Sequence, residues 1–522
     1  MICIQIFQRP FACAKSLLTN GASMKWQPIC LLLVMAAGGQ SRVCAESLLA
    51  GTAKVDITDY NAGPVNDPLY VKAIVLNSEG IITVLMTVDA VAIGEIGYIP
   101  NSYLPTVRER LENDLGIDPK RVMINASHCH GVVMRDITEQ TVAVVRNAMQ
   151  NMVPVRIGAG SGHEDRIMEN RRLKLKSGRE VDVRHAYSLP PDEEVVEVGP
   201  IDPEIGVLRF NRKDGSTLAV VYNFACHPIQ GVPGGANTAD IVGFASKVIE
   251  ENLSEDTLAL FLQGCGGDIN PAFYKDVDHP RSAEPLGTML GLSTLKAVRQ
   301  IECADNANLN WINATITLPR GDRTDQIAHL EDKLRQLLAQ LQGTSLNLKT
   351  FLPLLIKYNL AEDFPSYYSH AYLHDDSLGR GDLRELDAEN RRNIDAYLKN
   401  IYTMEEITRV QTNLALLRKH QAELVAAGKR TIDVELIGFR IGDFVMVTFP
   451  GELTVPIGLK IKEASPHALT FVAGYTNGYI YYSPTAEQLL NVGGAQEDSD
   501  CILAPEWEEI FATKVAEMLG EL

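Results

Sequence analysis

The sequence predicts an α/β fold, a layered mixed β-sheet core flanked by helices and carrying an inserted helical hairpin. Three observations carry this expectation. Short apolar runs of strand character alternate with stretches of helical periodicity. Several of those runs end in loops rich in glycine and polar residues. One long segment, at about 324–427, keeps helical spacing throughout. With 522 residues and 46% hydrophobic content, the chain can build a large core, and about 100–200 residues per domain allows two or three domains or one large domain with an insertion.

Read from the N-terminus, Met24-Lys25, the apolar run 29–37 and Val43-Cys44-Ala45 have the order of a charged region, an apolar region and a small-residue cleavage site. They predict a signal peptide cleaved after Ala45, a mature chain from residue 46 to 522, and a secreted or periplasmic location. Residues before Met24 read as an upstream extension. No later stretch reaches about 18 consecutive apolar residues, so no transmembrane helix is expected. The formal net charge of -18, with no cluster of Lys and Arg interleaved with aromatics, argues against a nucleic-acid partner. Cys3, Cys13, Cys30 and Cys44 fall in the leader. The remaining Cys129, Cys226, Cys265, Cys303 and Cys501 are odd in number and sparse, which argues against a disulfide scaffold and for small buried apolar side chains.

Residues 81–89 read as a buried strand, Leu104, Val107, Leu111 and Leu115 as a helix closed by Gly116, and residues 121–125 as a second strand. Such a strand-helix-strand unit implies a right-handed parallel crossover. It sets Ser127-His128-Cys129-His130-Gly131 at the carboxyl end of a strand, where open α/β sheets bind ligands. The pattern recurs: a strand at 217–224 runs into Cys226-His227-Pro228, and one at 258–262 into Gly264-Cys265-Gly266-Gly267-Asp268. After the helical segment, alternation returns at 432–449 with Gly442-Asp443 as a hairpin turn, and again at 469–472. Pro450-Gly451-Glu452 follows the first of these stretches, and Asn477-Gly478-Tyr479-Ile480-Tyr481-Tyr482 the second.

Imidazole is the commonest zinc ligand and the usual proton carrier near neutral pH, so the His128 and His130 loop is a metal-hydrolase clue. A His-x-His pair has no ligand arithmetic of its own. Taken singly, Glu452 also fits a turn or helix cap, Tyr482 a core cluster with Tyr479 and Tyr481, and Arg171 an ion pair with Glu169. His370 and His374, four apart beside Asp375 and Asp376, lack the glutamate of zinc proteases and read as a solvated helix face. The 264–267 glycine loop lacks the Lys-Ser/Thr ending of a phosphate loop, so nucleotide binding is not supported.

Taken in order, these loops resemble those of the neutral/alkaline, non-lysosomal ceramidase family. Ala126-Ser127-His128-Cys129-His130-Gly131 resembles its paired-histidine loop and Asn223-Phe224-Ala225-Cys226-His227-Pro228 its second histidine loop. Gln263-Gly264-Cys265-Gly266-Gly267-Asp268-Ile269-Asn270-Pro271 resembles its glycine-aspartate hydroxyl loop, and Phe449-Pro450-Gly451-Glu452-Leu453-Thr454 its glutamate loop, with the 477–482 tyrosine loop following. Ala50-Gly51-Thr52-Ala53-Lys54-Val55-Asp56-Ile57-Thr58 is similar to the start of its catalytic domain. The resemblance therefore spans essentially the whole mature chain.

The resemblance implies a zinc ion (Zn2+) held by His128, His227, Glu452 and Tyr482, with His130 and Arg171 facing substrate. A His-His-carboxylate set leaves a position open for water, whose pKa zinc can bring to about 7. His130 and Arg171 would hydrogen-bond the polarised carbonyl and the oxyanion, and a histidine would protonate the leaving nitrogen. The implied activity is hydrolysis of linear amide (N-acyl) bonds, and the implied partner a small-molecule or lipid N-acyl substrate, ceramide by default. Two departures qualify it. Where the family has serine in Gly-Asp-x-Ser-Pro, this chain has Asn270 after Asp268, which can donate to an oxyanion but cannot form an alkoxide. The C-terminal β-sandwich domain of family members is expected to be absent, leaving the helical insertion to shape the pocket mouth. An acidic chain without an exposed apolar anchor is expected to make at most transient contact with a membrane surface. The alternatives are an exported hydrolase of a soluble N-acyl or O-acyl substrate such as an acylated sugar, and an inactive metal-containing binding protein.

Overall fold

Strand pairing explains why the apolar runs are continuous rather than alternating. The computed structural model describes residues 48–183, 189–305 apart from 275 and 277, and 308–522 apart from 367; the leader expected at 1–45 lies outside the described residues. An eight-stranded sheet takes the order Leu258–Gln263, Thr217–Phe224, Glu204–Arg212, Val153–His163, Leu49–Asp56, Tyr70–Ser78, Ile81–Val88, Val122–Ala126. Its outermost pairs are parallel and every inner pair is antiparallel. Helix Tyr103–Leu115 lies in the connection between Ile81–Val88 and Val122–Ala126, as the periodicity predicts, and Asp240–Glu251 lies between the other parallel pair. Strands Val122–Ala126, Thr217–Phe224 and Leu258–Gln263 are buried at every position, because elements cover both faces.

A second sheet, in the order Leu309–Pro319, Thr431–Ile441, Phe444–Thr448, Thr470–Ala473, faces the first. Phe439, Phe444, Met446 and Phe471 pack between the sheets with Leu85, Met123, Leu208, Phe210 and Leu260. The neighbours Val445 and Val447 point the other way, into the cluster of Trp507 and Phe511. The core is thus layered and mixed, and among the described residues no sheet closes into a barrel. The expected Gly442-Asp443 turn joins Ile441 to its partner Phe444, and Gly442 takes the left-handed φ of +62° that glycine adopts without a Cβ penalty.

The helical insertion grows out of a strand pair. Pro319 and Thr431 are register partners, and between them lie helices Thr324–Gln340, Leu348–Leu360, Ser369–Ser377 and Asp382–Ala427. The expected hairpin is formed by the first and last of these, which meet through Leu330, Val410, Leu414 and Leu417. Leu348–Leu360 packs further along the 46-residue helix, with Phe351 and Tyr358 against Ile394. Its other face leaves Leu348, Leu352, Ile356 and Leu360 at 59, 47, 57 and 81% exposure. This corrects the expectation of no exposed apolar anchor, since heptad-like spacing does not reveal which face finds a partner. His370 and His374 sit exposed on Ser369–Ser377, the solvated face expected of them. Among the described residues no helix is long and apolar enough to cross a membrane.

Candidate metal centre

Five strands end at one place, and their loops supply the site. His128 lies two residues beyond Val122–Ala126 with a left-handed φ of +64°, fixed by backbone bonds from Ser127 N to Val88 O and from His128 N to Ala90 O. Its Nδ1 lies 2.6 Å from the Val91 carbonyl oxygen. A carbonyl only accepts, so Nδ1 carries the proton and Nε2 keeps its lone pair. His227, beyond Thr217–Phe224, repeats the arrangement, with Nδ1 2.6 Å from Gly266 O and 3.0 Å from Ile269 O. Glu452 follows Phe444–Thr448 and pairs in parallel with Tyr482 in a two-residue ladder. Gly267 must be glycine for these loops to meet, because a Cβ there would lie 2.7 Å from the Glu452 carbonyl oxygen.

The three side chains converge. Glu452 Oε2 is 3.2 Å from His227 Nε2 and 3.5 Å from His128 Nε2, and one ligand atom of each lies within 4.8 Å of the others. All three are buried. Among the described residues His128 Nε2 has no hydrogen-bond partner, a costly state for a buried lone pair unless something binds there. Burial holds the His128 imidazole down at about 4 and also lowers His227, so both are neutral bases near pH 7. Burial alone would raise the Glu452 carboxyl, but its contacts with His128 and His227 and the Tyr479 hydrogen bond hold it below the usual carboxylate range. Two neutral imidazoles with tautomers set by carbonyls, plus one carboxylate, form a donor set that fits a divalent metal ion of the zinc kind.

The group opens into a cavity of about 550 Å³ whose wall includes His130, Arg171, Tyr274, Lys419, Tyr481 and Tyr482. His130 is exposed, with its ring edge-on to His128 at 5.3 Å between centroids. The Tyr482 hydroxyl lies 3.4 Å from Arg171 Nη2. Arg171 is almost wholly buried and does not pair with Glu169, which sits opposite Asn270 in a small antiparallel ladder. Its Nε donates to Glu497 at 2.6 Å, Nη1 to Asn270 Oδ1 at 3.1 Å, and Nη2 to the Gly267 carbonyl. Asp268 accepts from Val455 N at 2.8 Å and Asn170 Nδ2 at 3.2 Å, and burial raises its carboxyl. Asn270 and Asp268 thus brace loops around the site, while His130, Arg171 and Tyr482 join His128, His227 and Glu452 at the cavity wall.

Several contributors escape the sequence reading. Tyr475 donates to Glu452 Oε2 at 3.1 Å and Tyr479 to Oε1. Glu497 and Asp498 neutralise Arg171 and Arg172. His420 of the helical insertion bonds Asp500 at 2.7 Å, whose carbonyl oxygen accepts from Tyr482 N. The available signal was the acidic run 497–500 after a Gly-Gly pair. Cys129, Cys226 and Cys265 are buried free thiols that burial pushes up, and the triad contains none of them.

Fold and site together define a mixed α/β protein with a buried His-His-Glu group that could hold a metal ion at the carboxyl ends of its strands. No protein-family model matches the chain, and no curated protein does. Among solved structures, the neutral ceramidase from Pseudomonas aeruginosa matches with a TM-score of 0.56 at 15% identity, over 91% of this chain and 74% of that one. A ceramidase complexed with C2 matches with a TM-score of 0.56 at 18% identity, over 91% and 75%. The chain shares their fold.

Proposed function

We propose that this chain is a zinc-dependent hydrolase of linear amide (N-acyl) bonds, with a lipid N-acyl compound such as ceramide as substrate, acting after export. One observation carries the reading: the orphaned, buried Nε2 of His128 faces His227 and Glu452 at the floor of an open cavity. The fold shared with ceramidases supports it. His128, His227 and Glu452 would hold the ion, with Tyr482 beside them as fourth ligand. Zinc, when bound, supplies Lewis-acid polarisation of a carbonyl and a lowered pKa for water.

The chain's own residues do the rest. The Val91 and Gly266 carbonyls fix both imidazole tautomers, and Tyr475 and Tyr479 orient the Glu452 carboxylate. His130, at the exposed wall, hydrogen-bonds the substrate carbonyl oxygen and passes a proton to the leaving nitrogen. Arg171 is a fixed cation behind the Tyr482 hydroxyl that favours negative charge developing in the cavity. Asn270 holds Arg171 through its side-chain carbonyl and provides no nucleophile, so water is the attacking group.

Metal analysis coupled to a panel of amides and esters tests the proposal. Purified protein should hold near-stoichiometric zinc, and His128→Ala or His227→Ala should lose both zinc and turnover. Full activity in a metal-free preparation would sink it. A second reading, a soluble N-acyl or O-acyl substrate such as an acylated sugar, is favoured by the charged Lys419 and Arg281 at the cavity wall. Faster turnover of acetylated amino sugars or simple esters than of N-acyl sphingosine selects it.

A further inference from the structure

Helix Leu348–Leu360 is apolar on both sides yet buried on only one. Phe351 and Tyr358 pack against Ile394 of the long helix, with Leu354 and Leu355 at the same contact. On the far side Leu348, Leu352, Ile356 and Leu360 follow one another at four-residue steps, each turning about 40° around the axis. They form a single strip, and all four are exposed. A contiguous apolar strip that no other element covers marks a surface that meets lipid or a partner.

Charge and size select the occupant. The helix carries Lys349 and Lys357 and no carboxylate, in a chain whose formal net charge is -18. Four side chains fall far short of the roughly 20–30 residues a side of a stable protein interface, which argues against a second copy of this chain as the occupant. A strip of leucine and isoleucine flanked by lysines matches instead the boundary between acyl chains and anionic headgroups, into which such helices sink about 5–10 Å.

We propose that Leu348–Leu360 is a membrane-surface docking helix that seats its Leu348, Leu352, Ile356 and Leu360 strip in an anionic bilayer. It contacts the long helix near Ile394, 25 positions before the cavity residue Lys419, or about 38 Å along the axis. The helix therefore tethers the protein to a lipid surface without forming part of the cavity. The inference goes beyond the proposed activity, and binding can be read without turnover.

Co-sedimentation of the full chain with vesicles tests it, using phosphatidylcholine alone and equal parts phosphatidylcholine and phosphatidylglycerol. Binding to the mixed vesicles is expected to exceed binding to phosphatidylcholine and to fall as salt rises. The double variant Leu352→Glu/Ile356→Glu should weaken it by about tenfold or more, and Lys349→Glu/Lys357→Glu by less. Both variants change exposed or half-buried positions remote from the cavity and should retain wild-type melting and zinc content. Absence of vesicle binding by the wild type overturns the proposal, as does undiminished binding by Leu352→Glu/Ile356→Glu. If sedimentation velocity instead shows a wild-type dimer that the same variant disperses, the strip is a self-association surface and the proposal falls. Loss of zinc-dependent turnover with vesicle binding intact would count against the proposed activity alone.

Discussion

Replacing Glu497 by Gln isolates one buried charge without changing side-chain shape. Glu497 is fully buried and accepts from Arg171 Nε at 2.6 Å while lying 3.5 Å from Arg172 Nη1. Arg172 keeps Asp498 at 2.8 Å and Glu180 at 2.7 Å. Arg171 keeps bonds to Asn270, Gly267 and Tyr482, none of which carries a charge. Removing one member of a buried ion pair costs about 3–5 kcal/mol. Glutamine retains one accepting oxygen for Arg171 Nε, so the loss should lie at the lower end, about 3 kcal/mol. Urea unfolding at neutral pH measures it as a fall in midpoint with unchanged slope. Zinc content should hold, because Glu497 is outside the His128, His227 and Glu452 group. Adding Arg171→Met should recover part of the stability while leaving turnover low, since the charge that Glu497 pairs with goes and so does the cation behind Tyr482. A loss below about 1 kcal/mol for Glu497→Gln, the scale of an exposed pair, would refute the claim that this carboxylate neutralises Arg171.

Three other outcomes follow from the same structure. Tyr479→Phe removes a hydrogen bond from Glu452, and zinc affinity measured by chelator competition should fall roughly 10–100-fold. Asn270→Ser should not create turnover that the wild type lacks, and activity appearing only in that variant would identify the natural chain as an inactive metal-containing binding protein. Burial raises both Asp67 and Asp240 to about 6, with Asp89 raising Asp67 further and Asp67 raising Asp240. A carboxyl raised on folding contributes its stability fully below its unfolded pKa and loses it as pH rises through the folded value. The two carboxyls therefore contribute a loss of stability between about pH 4 and pH 6, opposite in sign to the contribution of His128 and His227, and the stability of Asp67→Asn relative to the wild type should rise over that window; melts of both proteins at several pH values give the difference.

The chain's local patterns carry much of this architecture. The parallel unit from Ile81 to Ala126, the Gly442 turn and the Thr324–Gln340 arm of the hairpin can all be read from apolar period and turn residues, because those features depend on neighbours within a few positions. His128, His227 and Glu452 are likewise legible, each sitting just past the end of an apolar run in a motif-bearing loop. Spacing does not show that Val153–His163 pairs between Leu49–Asp56 and Glu204–Arg212, since strand order is settled by which faces can be buried together.

At the site the division is the same. Tyr475 and Tyr479, not Tyr481, hold Glu452, because the backbone of the loop after Thr470–Ala473 takes positive φ at Tyr475, Asn477 and Tyr481 and so re-aims successive side chains. Arg171 finds Glu497, 326 positions away, rather than its neighbour Glu169, and the Leu348–Leu360 strip goes unpaired although its spacing matches that of a buried helix. Hydrogen-bond types and apolar period are properties of the residues. Which donors meet, and which face stays bare, depends on how distant strand ends and helices converge.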